Sequence, residues 1–198
     1  MIAGLLLASG ASRRFGSNKL VAPLGDRPVV RWSAEALASA VDETWIVVSA
    51  QSTDVRAALD GLAVRWVENP AAHEGMASSI RAGVAALSSD AEAVVITLGD
   101  QPTIDREVIH RVVSAWRRAR AGRHAVVSAY ADGRGHPVLF GAELFPALQR
   151  LEGDRGAREL LVSLGEAVAV LDVAGDRPAD VDTPEALAAL ARIVARIR

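Results

Sequence analysis

Short apolar runs alternate with helical patterns along most of this chain, and that rhythm excludes most architectures. Residues 1–7, 44–49 and 93–98 are nearly unbroken apolar runs, and residues 64–67 and 125–129 are shorter strands of the same kind. Strands without a polar face must be covered on both sides. Helical patterns at residues 28–37, 53–59, 77–87 and 105–121 separate them; in the last, Ile109, Val112, Val113 and Trp116 recur at helical spacing. Strands alternating with helices build βαβ units, and hence a mostly parallel sheet between two helical layers. The expected fold class is α/β, a Rossmann-like three-layer arrangement.

The rhythm changes after residue 130. Asp132-Gly133 is a turn signal and residues 136–140 read as a strand, which together predict a small β-hairpin insertion. Short helices follow near residues 144–148 and 157–164, then a strand at 168–173. Thr183-Pro184 opens the last helix, because threonine caps a helix and proline fits its first turn. The chain of 198 residues has no internal repeat or linker, so one domain spanning residues 1–198 is expected. A domain of this size buries about 70% of its unfolded surface and needs no staple to fold.

Composition removes several function classes. The absence of cysteine excludes disulfides, thiolate zinc sites, iron–sulfur clusters and a cysteine nucleophile. A net charge of -2 gives no general attraction to nucleic acid or to an anionic membrane. The apolar start lacks a basic lead-in and a cleavage-like site, and no stretch reaches the roughly 20 apolar residues of a membrane span. The reading is cytoplasmic.

One basic residue stands apart. Of the 22 lysines and arginines only Lys19 is lysine. It lies in a loop after the first strand, Leu7-Ala8-Ser9-Gly10-Ala11-Ser12-Arg13-Arg14-Phe15-Gly16-Ser17-Asn18-Lys19-Leu20. Ligands of open α/β sheets bind beyond the carboxyl ends of strands. Glycines there let free N–H groups cradle phosphate oxygens, and Arg13, Arg14 and Lys19 add positive charge. The spacing is neither a Walker A loop nor G-x-G-x-x-G.

A carboxylate, Asp100 in Leu98-Gly99-Asp100-Gln101-Pro102, follows the most apolar strand and sits at the same sheet edge. It is a hard oxygen ligand suited to Mg²⁺ or Mn²⁺ on substrate phosphates. Asp180-Val181-Asp182-Thr183-Pro184 offers a second ligand, Asp182, although aspartate is also common at helix N-termini. If both bind one metal, their carboxylates should lie within about 4–6 Å, and their repulsion should raise one pKa. Gly75-Met76-Ala77-Ser78-Ser79 opens a helix and is a natural anion or carbonyl site. Gly135-His136-Pro137 and Gly153-Asp154-Arg155-Gly156-Ala157-Arg158 are weaker signals, the second a possible acceptor-phosphate site. His73, His110 and His124 show no ligand spacing.

Together these motifs resemble the MobA-like nucleoside triphosphate transferases, most nearly the molybdenum cofactor cytidylyltransferase branch. That family opens L-A-A-G-x-S-x-R-M-G-x-x-K; Leu7, Ala8, Gly10, Ser12, Arg14, Gly16 and Lys19 match, with Ser9 and Phe15 departing. Leu98, Asp100 and Pro102 match L-x-D-x-P, and Gly75, Met76 and Ser79 match G-M-x-x-S. The resemblance covers nearly the whole chain. It implies a nucleotide-diphospho-sugar transferase type of fold and a nucleotide site at Leu7, Ala8, Ser9, Gly10, Ser12, Lys19, Gly75, Met76, Ser78, Ser79 and Asp100. Catalysis would fall to Arg13, Arg14, Lys19 and Asp100, metal binding to Asp100 and Asp182, and acceptor binding to His136, Asp154 and Arg158. The guanine-using branch opens L-A-G-G, so Ser9 favours CTP. The implied acceptor is molybdopterin, with a molybdoenzyme as a further partner. Two alternatives stand beside this: a nucleotidyltransferase using GTP or another acceptor, and a non-catalytic nucleotide- or pterin-binding chaperone.

Overall fold

The computed structural model describes residues 1–10, 12, 14–50, 52–119, 122–153 and 156–195. Its strands are β1 (Ile2–Leu7), β2 (Pro23–Leu24), β3 (Arg27–Pro28), β4 (Glu43–Val48), β5 (Arg65–Glu68), β6 (Ala93–Leu98), β7 (Ala125–Tyr130), β8 (Gly133–Gly141) and β9 (Val168–Asp172). Its α-helices are α1 (Val29–Ala38), α2 (Thr53–Ala58), α3 (Met76–Ala86), α4 (Arg106–Ala119), α5 (Phe145–Leu148), α6 (Arg158–Leu164) and α7 (Pro184–Val194). Each strand and helix expected from the residue pattern is present, with ends displaced by a residue or so, except that the strand expected at 136–140 begins at Gly133. Residues 120 and 121, assigned to the fourth helix by their pattern, lie outside the described residues.

Seven strands form one sheet in the order β5-β4-β1-β6-β8-β7-β9. Every pairing is parallel except those of β8, which runs antiparallel between β6 and β7. The hairpin expected after residue 130 is thus not an appendage. Its second strand enters the main sheet and separates β6 from β7. The hairpin β2–β3 forms a second, two-stranded sheet, and it escaped the sequence reading because Pro23 and Pro28 give no strand pattern.

β1 shows why the layers close. All six of its residues are buried, and successive side chains enter opposite cores. Ile2 and Leu6 join a core with Leu37 of α1, Leu59 just after α2 and Ile109 of α4. Ala3, Leu5 and Leu7 join a second core with Ile80 and Val84 of α3 and Leu148 of α5. Two glycines let the helices come close. A Cβ on Gly4 would stand 2.8 Å from Leu37 Cγ, and one on Gly83 of α3 would stand 2.4 Å from Leu5 Cδ1. A third core, built on Leu24, Val29, Val181, Leu190 and Val194, fastens α7 to the β2–β3 hairpin. The cap of α7 is as expected, with Thr183 Oγ1 accepting from Ala186 N at 3.2 Å and Pro184 in the first turn.

Backbone bonds tie the loops together at the carboxyl edge of the sheet. Ala8 N donates to Val47 O at 2.8 Å, Gly99 N to Leu7 O at 2.9 Å, and Val181 N to Asp100 O at 2.9 Å. The last carries the segment ahead of α7 to the end of β6, eighty residues away in sequence.

Candidate active site

The loop after β1 holds Lys19 by both its backbone and its side chain. Asn18 Oδ1 accepts from Leu20 N at 3.1 Å and caps the 3-10 turn Lys19–Val21. Lys19 N donates to Ser12 Oγ at 3.2 Å, and Ser12 itself adopts φ 48°, a left-handed conformation uncommon outside glycine. The side chain, 11% exposed, reaches Asp100 Oδ2 at 2.6 Å and Asp182 Oδ1 at 2.7 Å. Both bonds share one nitrogen, so those two oxygens are at most about 5.3 Å apart, the sum of the bond lengths. Arg14 adds a longer ion pair to Asp182 at 3.4 Å.

The two carboxylates therefore converge, but a cation already sits between them, and this changes their electrostatics. The Lys19 hydrogen bond above all holds the Asp182 carboxyl below the usual aspartate range; burial opposes it, and the Lys19 and Arg14 charges add to it. Mutual repulsion was expected to raise one pKa of the Asp100–Asp182 pair, and for Asp182 the direction is the reverse. The carboxyl that is raised is Asp180, first by burial and then by the nearby charges of Asp100 and Asp182. Burial pulls Lys19 towards its neutral form, yet the two aspartates outweigh it and the ammonium is held above its ordinary pKa.

A cavity of about 550 Å³ opens over this cluster. Leu7, Ala8, Ser9, Gly10 and Ser12 line it from the first loop, with Arg14 and Lys19 beyond them. Gly75, Met76 and Ser79 face it from the start of α3, and Asp100 and Asp182 from the far edge. Ser78 does not line it. One helical step from Ser79, Ser78 is 2% exposed, donates to Gly75 O at 2.8 Å and accepts from Asn69 Nδ2 at 2.8 Å. His73, set aside for lack of ligand spacing, does line the cavity, as does Ala72. Asn69, which follows β5, lies just behind the wall, bonded to Ser78 and Ser79. Arg13 and Asp154 lie outside the described residues.

A second cavity of about 1010 Å³ adjoins the first, sharing Met76 and Leu98 with it. His136 and Arg158 line it, with Gln101, Arg134 and Asp180 at its polar margin and Ile80, Ile96, Val138 and Phe140 as an apolar floor. His136 Nδ1 donates to Ile96 O at 3.1 Å, and burial holds its pKa below the ordinary 6.5. The structure thus separates the predicted residues into two adjoining cavities.

The donor set at Asp100 and Asp182 fits a divalent cation. Both ligands are hard oxygens, they already share a positive group, and Mg²⁺ needs only one or two carboxylates when phosphates and water complete its shell. No larger cluster of metal-ligating side chains occurs among the described residues.

Comparisons with known proteins show the family and the fold to which the chain is similar. Purine catabolism protein PucB of Bacillus subtilis (strain 168) is 33% identical over 198 aligned residues, covering 92% of each chain. A molybdenum cofactor guanylyltransferase of Rhodobacter capsulatus is 30% identical, covering 94% of this chain and 93% of its own. Rv0371c of Mycobacterium tuberculosis H37Rv superposes with a TM-score of 0.85 at 31% identity, over 96% of this chain and 97% of that one, and has also been crystallised with manganese. The fold is that of the nucleotide-diphospho-sugar transferases. The family model for the MobA-like NTP transferase domain matches residues 4–169. With a glycine-serine loop and two carboxylates gathered at the carboxyl edge of such a sheet, the chain belongs to the MobA-like nucleotidyltransferase family.

Proposed function

We propose that this protein transfers CMP from CTP to a small phosphorylated acceptor, molybdopterin in the first instance, with release of pyrophosphate. The observation that carries the reading is the Lys19 ammonium gripped by Asp100 and Asp182 beneath the loop cavity. A cluster of one lysine ammonium and two oxygen ligands suits a metal–triphosphate complex.

In the reaction an acceptor phosphate oxygen forms a bond to the α-phosphorus, and the bond from that phosphorus to the bridging oxygen of the β-phosphate breaks. Pyrophosphate carries away the electron pair. A phosphate monoester is largely ionised near neutral pH, so no side chain need remove a proton. Catalysis is then positioning and charge neutralisation. Mg²⁺ or Mn²⁺ held by Asp100 and Asp182 supplies part of that neutralisation when bound. Lys19 turns from the carboxylates to the β- and γ-phosphates, and Arg13 and Arg14 lie in the same loop. Gly10 and Ser12 line the triphosphate side, with Leu7, Ala8, Ser9, Gly75, Met76 and Ser79 around the nucleoside. The acceptor occupies the second cavity, where His136 and Arg158 orient it and the flat face of its ring system covers Ile96 and Phe140.

Ser9 in place of the glycine of the guanine-using branch supports CTP. GTP is the second reading, because the Rhodobacter capsulatus relative is named a guanylyltransferase. Mass spectrometry of reactions containing molybdopterin, Mg²⁺ and either CTP or GTP tests both. The expected product is the cytidine dinucleotide of the cofactor, with kcat/KM for CTP at least about 10-fold above GTP. A reversed preference moves the protein to guanylyl transfer. Tight nucleotide binding with no product from either nucleotide replaces catalysis with a chaperone role.

A further inference from the structure

Behind the cavity wall lies a chain of hydrogen bonds that runs from Asn69 through Ser79 to Ser9. Asn69, 2% exposed, follows β5, and its side-chain amide has one possible orientation. Its Oδ1 accepts from Ala71 N at 3.0 Å, so its nitrogen faces α3 and donates to Ser78 Oγ at 2.8 Å and Ser79 Oγ at 3.0 Å. Both amide hydrogens are used. Ser79, 3% exposed, already accepts one of them, and its hydroxyl lies 2.7 Å from Ser9 Oγ. A serine hydroxyl has one hydrogen to give. Either hydroxyl can donate across that contact; with the Ser79 hydrogen given to Ser9, the hydrogen of Ser9, the more exposed of the two, is free for the cavity that Ser9 lines.

We propose that Asn69 is a positioning residue for nucleotide recognition: acting through Ser79, it sets the Ser9 hydroxyl as a hydrogen-bond donor into the pocket. The atom recognised there is then a neutral acceptor on the nucleotide, a base carbonyl oxygen or an unprotonated ring nitrogen. The phosphates are met elsewhere, since the hydrogen bonds and ion pairs that join Lys19, Arg14, Asp100 and Asp182 among the described residues do not include Asn69, Ser79 or Ser9. This inference rests on reading the loop cavity as the nucleotide site.

Residues that act through one another give non-additive effects, whereas independent structural effects add. The test is a double-mutant cycle on the dissociation constant of the protein for CTP and for GTP with Mn²⁺, measured by calorimetry without acceptor. Ser9→Ala is expected to weaken the preferred nucleotide about 10-fold, as expected for one lost hydrogen bond to a buried polar group. Asn69→Asp replaces two donors with acceptors and reverses the chain, so it should weaken binding at least as much. In the Ser9→Ala background the same substitution should change binding less than about twofold. Ser79→Ala, which suits a helix and keeps the fold, provides the same cycle should Asn69→Asp fold poorly. Ser9→Thr retains the hydroxyl and should restore most of the affinity. Additive losses in both cycles, or unchanged binding in Ser9→Ala, overturn the inference alone. Absence of nucleotide binding by the unsubstituted protein overturns the reading of the cavity and the inference with it.

Discussion

Replacing Lys19 with methionine keeps the length and apolar stem of the side chain and removes only its charge. The structure then leaves two carboxylates within about 5 Å and without their counter-ion. At an effective dielectric constant near 20 their repulsion is about 3 kcal/mol. The Asp100 and Asp182 side chains are 20% and 39% exposed, so solvent and proton uptake relieve part of it. A net loss of about 1–2 kcal/mol remains, which for a chain of this length lowers Tm by about 2–8 °C. The vacated position should now accept a divalent ion in the absence of nucleotide. At ten times its dissociation constant such an ion restores about 1.4 kcal/mol. Scanning calorimetry in EDTA and in millimolar manganese chloride measures both effects, and manganese electron paramagnetic resonance counts the bound ion. The expected pattern is a metal-dependent Tm in Lys19→Met and little response in the unsubstituted protein, together with a fall in kcat/KM of at least about 100-fold. A Lys19→Met protein that ignores manganese, or that retains full activity, refutes the reasoning.

Three further outcomes follow from particular contacts. Asp100→Asn should reduce nucleotidyl transfer more than Asp182→Asn, because Asp182 is the more exposed carboxylate and shares its charge with Arg14; equal losses in steady-state kinetics would contradict the ranking. His136 has a folded pKa below 6.5 because burial disfavours the imidazolium, so the unfolded chain binds its proton more readily. Its neutral form is fully present above that pH, and stability falls as pH drops below it. Urea denaturation should show this acid decline shallower in His136→Asn, and superimposable pH profiles would sink the idea. Gly83→Val should cost about 3 kcal/mol of stability by driving side-chain atoms into the fully buried Leu5, and a midpoint unchanged in the same assay would show that α3 can back away.

The strands of the main sheet and the helices were legible because their signals are local, whereas the two-residue strands β2 and β3 were not. Six buried residues in β1 and the stripe of Ile109, Val112 and Trp116 in α4 declare their period to any reader of the chain. The glycine-serine loop and Asp100 were legible for a related reason, since a strand end in an α/β sheet assigns its loop to the ligand edge. Ser78 and Ser79 were not separable in the same way, because one step around a helix turns a side chain about 100° and only packing tells which of them faces the cavity.

Sequence by itself therefore determined the α/β class, the order of its elements and the edge on which chemistry gathers. The tertiary structure decided who meets whom there. Nothing local joins Asp182 to Asp100; the Val181–Asp100 backbone bond and the α7 core bring them together. Nothing local sends Lys19 to those carboxylates rather than outward to solvent, and nothing in Asn69-Pro70 announces a buried amide holding two serines. Hydrogen bonds and charge pairs act over a few ångströms in space, whereas residue patterns act over a few positions in the chain. The two coincide within a helix or strand, and they part company wherever the fold closes eighty residues into one site.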